Sequence, residues 1–104
     1  MRRRLVVRAE AEADITDAVL WYEERAQGLG LELLQEVAIA TRRAVETPLL
    51  FPLLRRQPEV RRVLTRRFPY RLFFIVRDDA VIVFAVMHAA RHDRNWQGRL
   101  AGES

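Results

Sequence analysis

The sequence predicts an α+β fold in the order β-α-α-β-β-β. A helical hairpin packs on one face of a small, mainly antiparallel sheet. Three observations lead there. Residues 59–88 hold three short runs rich in β-branched and aromatic side chains, separated by turn residues. Residues 10–45 hold two stretches whose apolar residues recur at helical spacing, divided by Gly28 and Gly30. The chain has 104 residues, half of them hydrophobic, which is enough for one packed core. We therefore read residues 1–104 as one domain.

The elements follow in order. Arg3–Arg8, RRLVVR, is a short strand with β-branched residues at its centre. From Glu10 to about Ala26 the period changes. Ile15, Ala18, Val19 and Tyr22 recur at i, i+3, i+4, i+7, which is one face of a helix. Glu10, Glu12, Asp14 and Asp17 crowd its start, where carboxylates suit the positive end of the helix dipole. Trp21 lies at the edge of that stripe. Gly28 and Gly30 break the pattern as a C-cap and turn. A second helix runs from about Leu31 to Val45, with Leu34, Val37, Ala38, Thr41, Ala44 and Val45 as its buried stripe. Thr47-Pro48 ends it, since the residue before proline avoids helical geometry.

Leu49 to Pro58 reads as an apolar loop that folds over the open end of the core. Three strands follow: Glu59–Arg66, Tyr70–Arg77 and Val81–His88. Asp78-Asp79-Ala80 fits a tight hairpin. The last strand is apolar on both faces, so it belongs inside the sheet. On the middle strand Leu72, Phe74 and Val76 form the helix-facing set. Arg71, Phe73, Ile75 and Arg77 fall on the other face, which is too apolar to be bare. The C-terminal tail, a second copy or a partner segment must cover it. After Trp96 the polar tail GRLAGES is expected to fray.

Composition excludes several functions. There is no cysteine, and the only serine is Ser104, so a Ser or Cys nucleophile is not credible. There is no glycine-rich phosphate loop. No apolar run approaches the roughly 18 residues of a membrane span. Only Leu5-Val6-Val7 follow the basic Met1–Arg4 start before Arg8, far short of a signal peptide. The expected location is the cytoplasm. His88 and His92 are four apart, a spacing that aligns ligands on a helix and not on a segment leaving a strand, so no metal and no cofactor are expected.

All 18 basic residues are arginine. Residues 1–46 carry seven arginines against nine carboxylates, and residues 47–104 carry eleven against five. A basic half beside a mildly acidic one suits an anionic partner. Arg61, Arg62, Arg66, Arg67, Arg71 and Arg91 can neutralise phosphates. Phe68 and Tyr70 can stack on bases. His88, His92 and Tyr70 can move protons. RNA cleavage by its own 2′-OH needs a base, an acid and cationic stabilisation, with no metal. Each residue also has a structural reading: Phe68 and Tyr70 in the core, His88 hydrogen-bonded at a strand end, Arg91 paired with a carboxylate.

Three stretches, in this order and spacing, carry a family resemblance: VVRAEAEADITDAVLWYEE, AVETPLLFP and RRVLTRRFPYRLFFIVRDDAVIVFAVMHAARHDRNW. Together they resemble the RelE/ParE superfamily of bacterial type II toxin–antitoxin toxins over nearly the whole chain. The resemblance implies a cytoplasmic toxin neutralised by a cognate antitoxin in a hetero-oligomer. ParE-like members poison DNA gyrase. RelE-like members are metal-independent endoribonucleases that cleave mRNA on the ribosome. By position, Arg62 and Arg71 fall near the strand arginines of RelE-like members, and His88 and Arg91 near their C-terminal functional residues. If the chain is a ribonuclease, those four form the catalytic set. Arg61, Arg66, Arg67, Phe68, Tyr70 and His92 would then contact nucleic acid or another target. Two departures weigh against that activity: there is no lysine, and no tyrosine follows the last strand. The helical hairpin with Trp21 and Tyr22 resembles the ParE side, which makes gyrase inhibition the leading expectation. An inactive homologue retained as a binding partner is a further alternative.

Overall fold

The computed structural model of the protein describes residues 2–90 and 94–100. Strand β1 (Arg4–Val7) leads into helix α1 (Ala9–Arg25) and helix α2 (Leu29–Glu46). A 3-10 turn at Pro48–Leu50 precedes β2 (Leu53–Arg55), β3 (Val60–Leu64), β4 (Tyr70–Val76) and β5 (Ala80–His88). The described chain ends with a short helix, α3 (Arg94–Gln97), and a 3-10 turn at Gly98–Leu100. The sheet order is β1-β5-β4-β3-β2. β1 runs parallel to β5, and the other neighbours are antiparallel. This is the α+β arrangement read from the sequence.

Four local expectations are corrected. The segment read as a loop contains β2, which pairs with β3 at the sheet edge between Pro52 and Pro58. Prolines tolerated at an edge mask a three-residue strand. The buried stripe of α2 is rotated from the expected one. Leu33 and Ala40 are buried, whereas Leu34 is 44% exposed and Ala38 is exposed. Gly28 and Gly30 do not cap α1, whose C-cap is Ala26. Gly28, with φ 88°, precedes α2, and Gly30 lies inside it. A Cβ on Gly30 would come within 2.6 Å of the Val19 carbonyl oxygen, so only glycine permits this close helix contact. The Glu23 carboxylate accepts the Gly28 N–H (2.8 Å) and the Gly30 N–H (2.9 Å), satisfying donors at the start of α2. Finally, the tail does not fray straight after Trp96: Leu100 is 3% exposed.

The sheet separates two cores. On one face Leu72, Phe74, Val76, Val81, Val83 and Val86 pack against Ala11, Ala18, Leu33, Val37, Ala40 and Ala44 of the helices. On the other, Val60, Phe73, Ile75, Phe84 and Met87 pack against Trp96 and Leu100. Phe73 stacks on Trp96 with ring centroids 5.6 Å apart. The C-terminal segment thus covers the face that the sequence required to be covered.

A bulge in β5 sets the position of everything beyond it. Phe73 pairs with Ala85, but Phe74 pairs with Val83, which leaves Phe84 as the extra residue. Phe84 and Ala85 therefore both belong to the second core. The inside–outside alternation is inverted past that point. Val86 joins the helix-side core, and His88, two residues on, shares that side. Without the bulge His88 would emerge on the opposite face.

Candidate functional site at the end of the central strands

β4 begins and β5 ends at the same place, so Tyr70 and His88 are direct cross-strand partners. Their rings meet edge to face at 5.4 Å. The aromatic contacts continue into α1. Tyr22 lies 6.2 Å from Tyr70 and 5.0 Å from Phe68, and Trp21 lies 4.9 Å from Tyr22, all near-perpendicular. The Ala90 N–H donates to His88 Nδ1 at 3.0 Å. With Nδ1 as acceptor, the neutral ring carries its proton on Nε2. These groups border a cleft of about 440 Å³ lined by Asp14, Asp17, Trp21, Tyr22, Tyr70 and His88 among others.

The floor of this cleft is held by Asp14. β1 stops early: its last ladder bond runs from the Arg8 N–H to the Val83 carbonyl at 2.9 Å. Beyond Val83 no strand among the described residues lies along that edge of β5. Side chains take over. Asp14 Oδ2 accepts the Val86 N–H at 2.9 Å, and Arg99 Nη1 donates to the Phe84 carbonyl at 3.2 Å. Arg99 also binds Asp14 itself. In the sequence Asp14 is one of four carboxylates at a helix start, and nothing local marks Arg99. The available signal was position: Asp14 lies between Ala11 and Ala18 on the buried face of α1.

The structure sorts the expected site residues. Tyr70 and His88 come together. Arg62 faces Phe73 across the β3–β4 ladder, and Arg71 faces Met87 across β4–β5, so both share the side of the second core. His88 is on the other side of the sheet. Arg61 is tied up locally: Nε donates to Glu59 Oε2 at 2.7 Å, and Nη1 to the Phe51 and Leu49 carbonyls at 2.6 and 3.4 Å. It clamps the loop after α2. Phe68 is 6% exposed and packs into the helix-side core, so its ring is no stacking platform for a base. Arg66 and Arg67 are exposed on the β3–β4 turn, and Arg67 pairs with Glu32 at 2.7 Å. Arg91 and His92 lie outside the described residues.

The model of the ParE toxin of parDE type II toxin–antitoxin systems matches residues 5–93. The chain belongs to this ParE toxin family. Among solved structures it is similar to one described as the chromosomal ParDE toxin–antitoxin system from P. aeruginosa. That likeness has a TM-score of 0.73 at 16% identity and covers 84% of this chain and 96% of the other. It is a likeness of fold. No curated protein matches the sequence. The ParE match starts within β1 and runs past the end of β5, with α1, α2 and the Tyr70–His88 pair inside it. Among the described residues of this toxin, no helix is long and apolar enough to cross a membrane.

Proposed function

We propose that this type II toxin acts in the cytoplasm by binding DNA gyrase and that a cognate antitoxin neutralises it. One observation carries the choice of gyrase over RNA. His88 lies on the helix side of the sheet and Arg62 and Arg71 on the other, divided by the β5 bulge. Metal-free RNA cleavage needs the proton-transfer group and the cations around one phosphate. A surface that binds a protein needs no such convergence. The antitoxin assignment draws support from exposed apolar residues on the hairpin and the loop after it: Leu20, Leu31, Leu34, Leu49 and Leu50 are 44–80% exposed. An apolar antitoxin segment would cover them.

The direct test is supercoiling by purified gyrase with rising toxin, alone or premixed with the product of the neighbouring short reading frame. Inhibition by toxin and its relief by that product are expected. Unchanged supercoiling at toxin excess would reject the gyrase target. The ribosome-dependent ribonuclease is the second reading, favoured by the Tyr70–His88 contact beside a cleft. Pulse-labelling within minutes of induction separates the two: loss of thymidine incorporation first points to gyrase, and loss of amino-acid incorporation first points to the ribosome. No growth arrest on expression would support an inactive homologue.

A further inference from the structure

The cleft beside Tyr70 and His88 is acidic on a chain that is basic. The protein carries a net charge of +4, and all 18 of its basic residues are arginine. Among the described residues no arginine lines this cleft, while Asp14 and Asp17 do. Asp14 is already balanced by Arg99 and accepts the Val86 N–H. Asp17 is exposed and makes no ion pair or side-chain hydrogen bond among the described residues. It also sits in the middle of α1. The helix dipole that suits Glu10 and Glu12 in the first turn does not reach it, and aspartate is a poor helix former.

The walls of the cleft are aromatic. Successive rings stand nearly at right angles: Trp21 to Tyr22 at 75°, Tyr22 to Tyr70 at 67° and Tyr70 to His88 at 80°. Rings set this way form the sides of a box, and the negative face of each aromatic ring attracts a cation. One of these rings already carries a guanidinium. The central carbon of the Arg25 group lies 3.4 Å from the centroid of Trp21, and its Nη1 donates to the Trp21 carbonyl at 3.2 Å. Arg25 itself does not line the cleft. Asp17 and Trp21, four apart on α1, are neighbours on its surface.

We propose that this cleft binds the guanidinium group of a ligand. Trp21, Tyr22 and Tyr70 supply ring surface, and the Asp17 carboxylate accepts two N–H groups in bidentate fashion. The cleft's volume of about 440 Å³ is that of a small-ligand site. A guanidinium suits it better than an ammonium, because it is planar, weakly hydrated and able to stack on rings while pairing with a carboxylate. A phosphate would meet Asp17 and the negative ring faces. An apolar side chain would use the rings but strip water from Asp17 with nothing in return. Two sources share the favoured chemistry: free arginine and an arginine side chain of a partner protein. The inference does not depend on gyrase as the target.

The test titrates the full chain with three ligands: free L-arginine, a glycine-arginine-glycine peptide blocked at both ends, and the same peptide carrying citrulline, which keeps the size and loses the charge. Trp21 fluorescence reads binding at constant ionic strength, over a constant background from buried Trp96. The arginine peptide should reach half-saturation at about 1–10 mM, and the citrulline peptide should bind at least about tenfold more weakly. Asp17→Asn should weaken binding by about three- to tenfold. Arg25→Gln should tighten it, because Arg25 sets a like charge beside the bound group and competes for the Trp21 ring. Tighter binding of the peptide than of free arginine assigns the site to a partner's side chain, and the reverse assigns it to the free amino acid. Equal binding of the citrulline peptide overturns the proposal. So does weaker binding in Arg25→Gln, since the cleft would then prefer an anion. A response that survives in Trp21→Phe, a change at a half-exposed side chain, places the ligand elsewhere and overturns it as well. No saturation by either arginine ligand at about 50 mM, or a short single-stranded RNA that quenches Trp21 at lower concentration than both, has the same force. No arm contains gyrase or ribosomes, so failure here and failure of the gyrase reading are separate results.

Discussion

Arg99 holds Asp14 by both oxygens of its carboxylate: Nη1 lies 2.5 Å from Oδ2 and Nη2 lies 2.9 Å from Oδ1. The pair spans 85 residues of sequence and joins the C-terminal turn to the first helix. Both side chains are less than a third exposed. The same atoms also satisfy the Val86 N–H and the Phe84 carbonyl at the unpaired edge of β5. Helix, sheet and tail thus meet at one ion pair. Asp14→Ala removes the pair and the acceptor for Val86, and should cost about 2–3 kcal/mol. Arg99→Ala should cost about 1–2 kcal/mol. Urea unfolding of the two variants checks both values and their order.

The pair also makes a prediction about pH. The hydrogen bond to Asp14 raises the Arg99 pKa above the ordinary arginine range, with attraction to Asp14 and Glu10 adding and burial opposing. A pKa raised by folding contributes stability that is complete below the unfolded value. It is lost only as pH rises through the folded value. Both values lie far above neutrality. The destabilisation by Arg99→Ala should therefore be the same across about pH 6 to 9. A loss that varied steeply across that window would mean that another group titrates with this contact.

The glycines of the helical turn should respond differently to one substitution. Gly30→Ala drives a Cβ into the Val19 backbone carbonyl at 2.6 Å, and neither helix can move without opening the hairpin. The expected cost is about 2–4 kcal/mol. At Gly28 a Cβ meets no described residue within 4 Å, and the strain comes from its φ of 88°. Gly28→Ala should cost about 1–2 kcal/mol. Thermal unfolding of the two variants ranks them.

Trp96 closes the second core, and its Nε1 is buried with no hydrogen-bond partner among the described residues. Trp96→Phe keeps ring packing on Phe73 and Phe84 and gives up no indole hydrogen bond to a described residue. It should cost less than about 1.5 kcal/mol. Trp96→Ala should cost about 3–5 kcal/mol. Near-equal losses would show that the indole nitrogen matters after all, and denaturation curves of the two variants decide.

The sequence carried the fold because its strongest signals are periodic. The helix stripe through Ile15, Ala18, Val19 and Tyr22 and the alternation of Leu72, Phe74 and Val76 both point to the cores they join. The same alternation exposed the need to cover Phe73 and Ile75, and Trp96 answers it. The site was less legible. In VIVFAVMH every residue up to Met87 is apolar, so nothing in the pattern marks Phe84 as the bulge. A one-residue shift there decides which face His88 occupies. The paired use of Asp14 and Arg99 was hidden for another reason. Long-range ion pairs leave no local period, and a carboxylate early in a helix has a sufficient local explanation.

The division of His88 from Arg71 can be read out in function. Residues that act together on one reacting group are grossly non-additive, because losing either disables the same step. Residues contributing to separate parts of a binding surface add. His88→Ala and Arg71→Ala should therefore have independent effects on gyrase inhibition, each within about tenfold, with the double variant near their product. Arg61→Ala is the structural control. It loses its contacts with Glu59, Phe51 and Leu49, and should lower stability by about 1–2 kcal/mol before any effect on the target is interpreted. Full loss of activity in either single variant, with no further loss in the double, would place His88 and Arg71 in one catalytic unit and favour the ribonuclease. Inhibition titrations of the four proteins, each first shown to be folded, distinguish the outcomes.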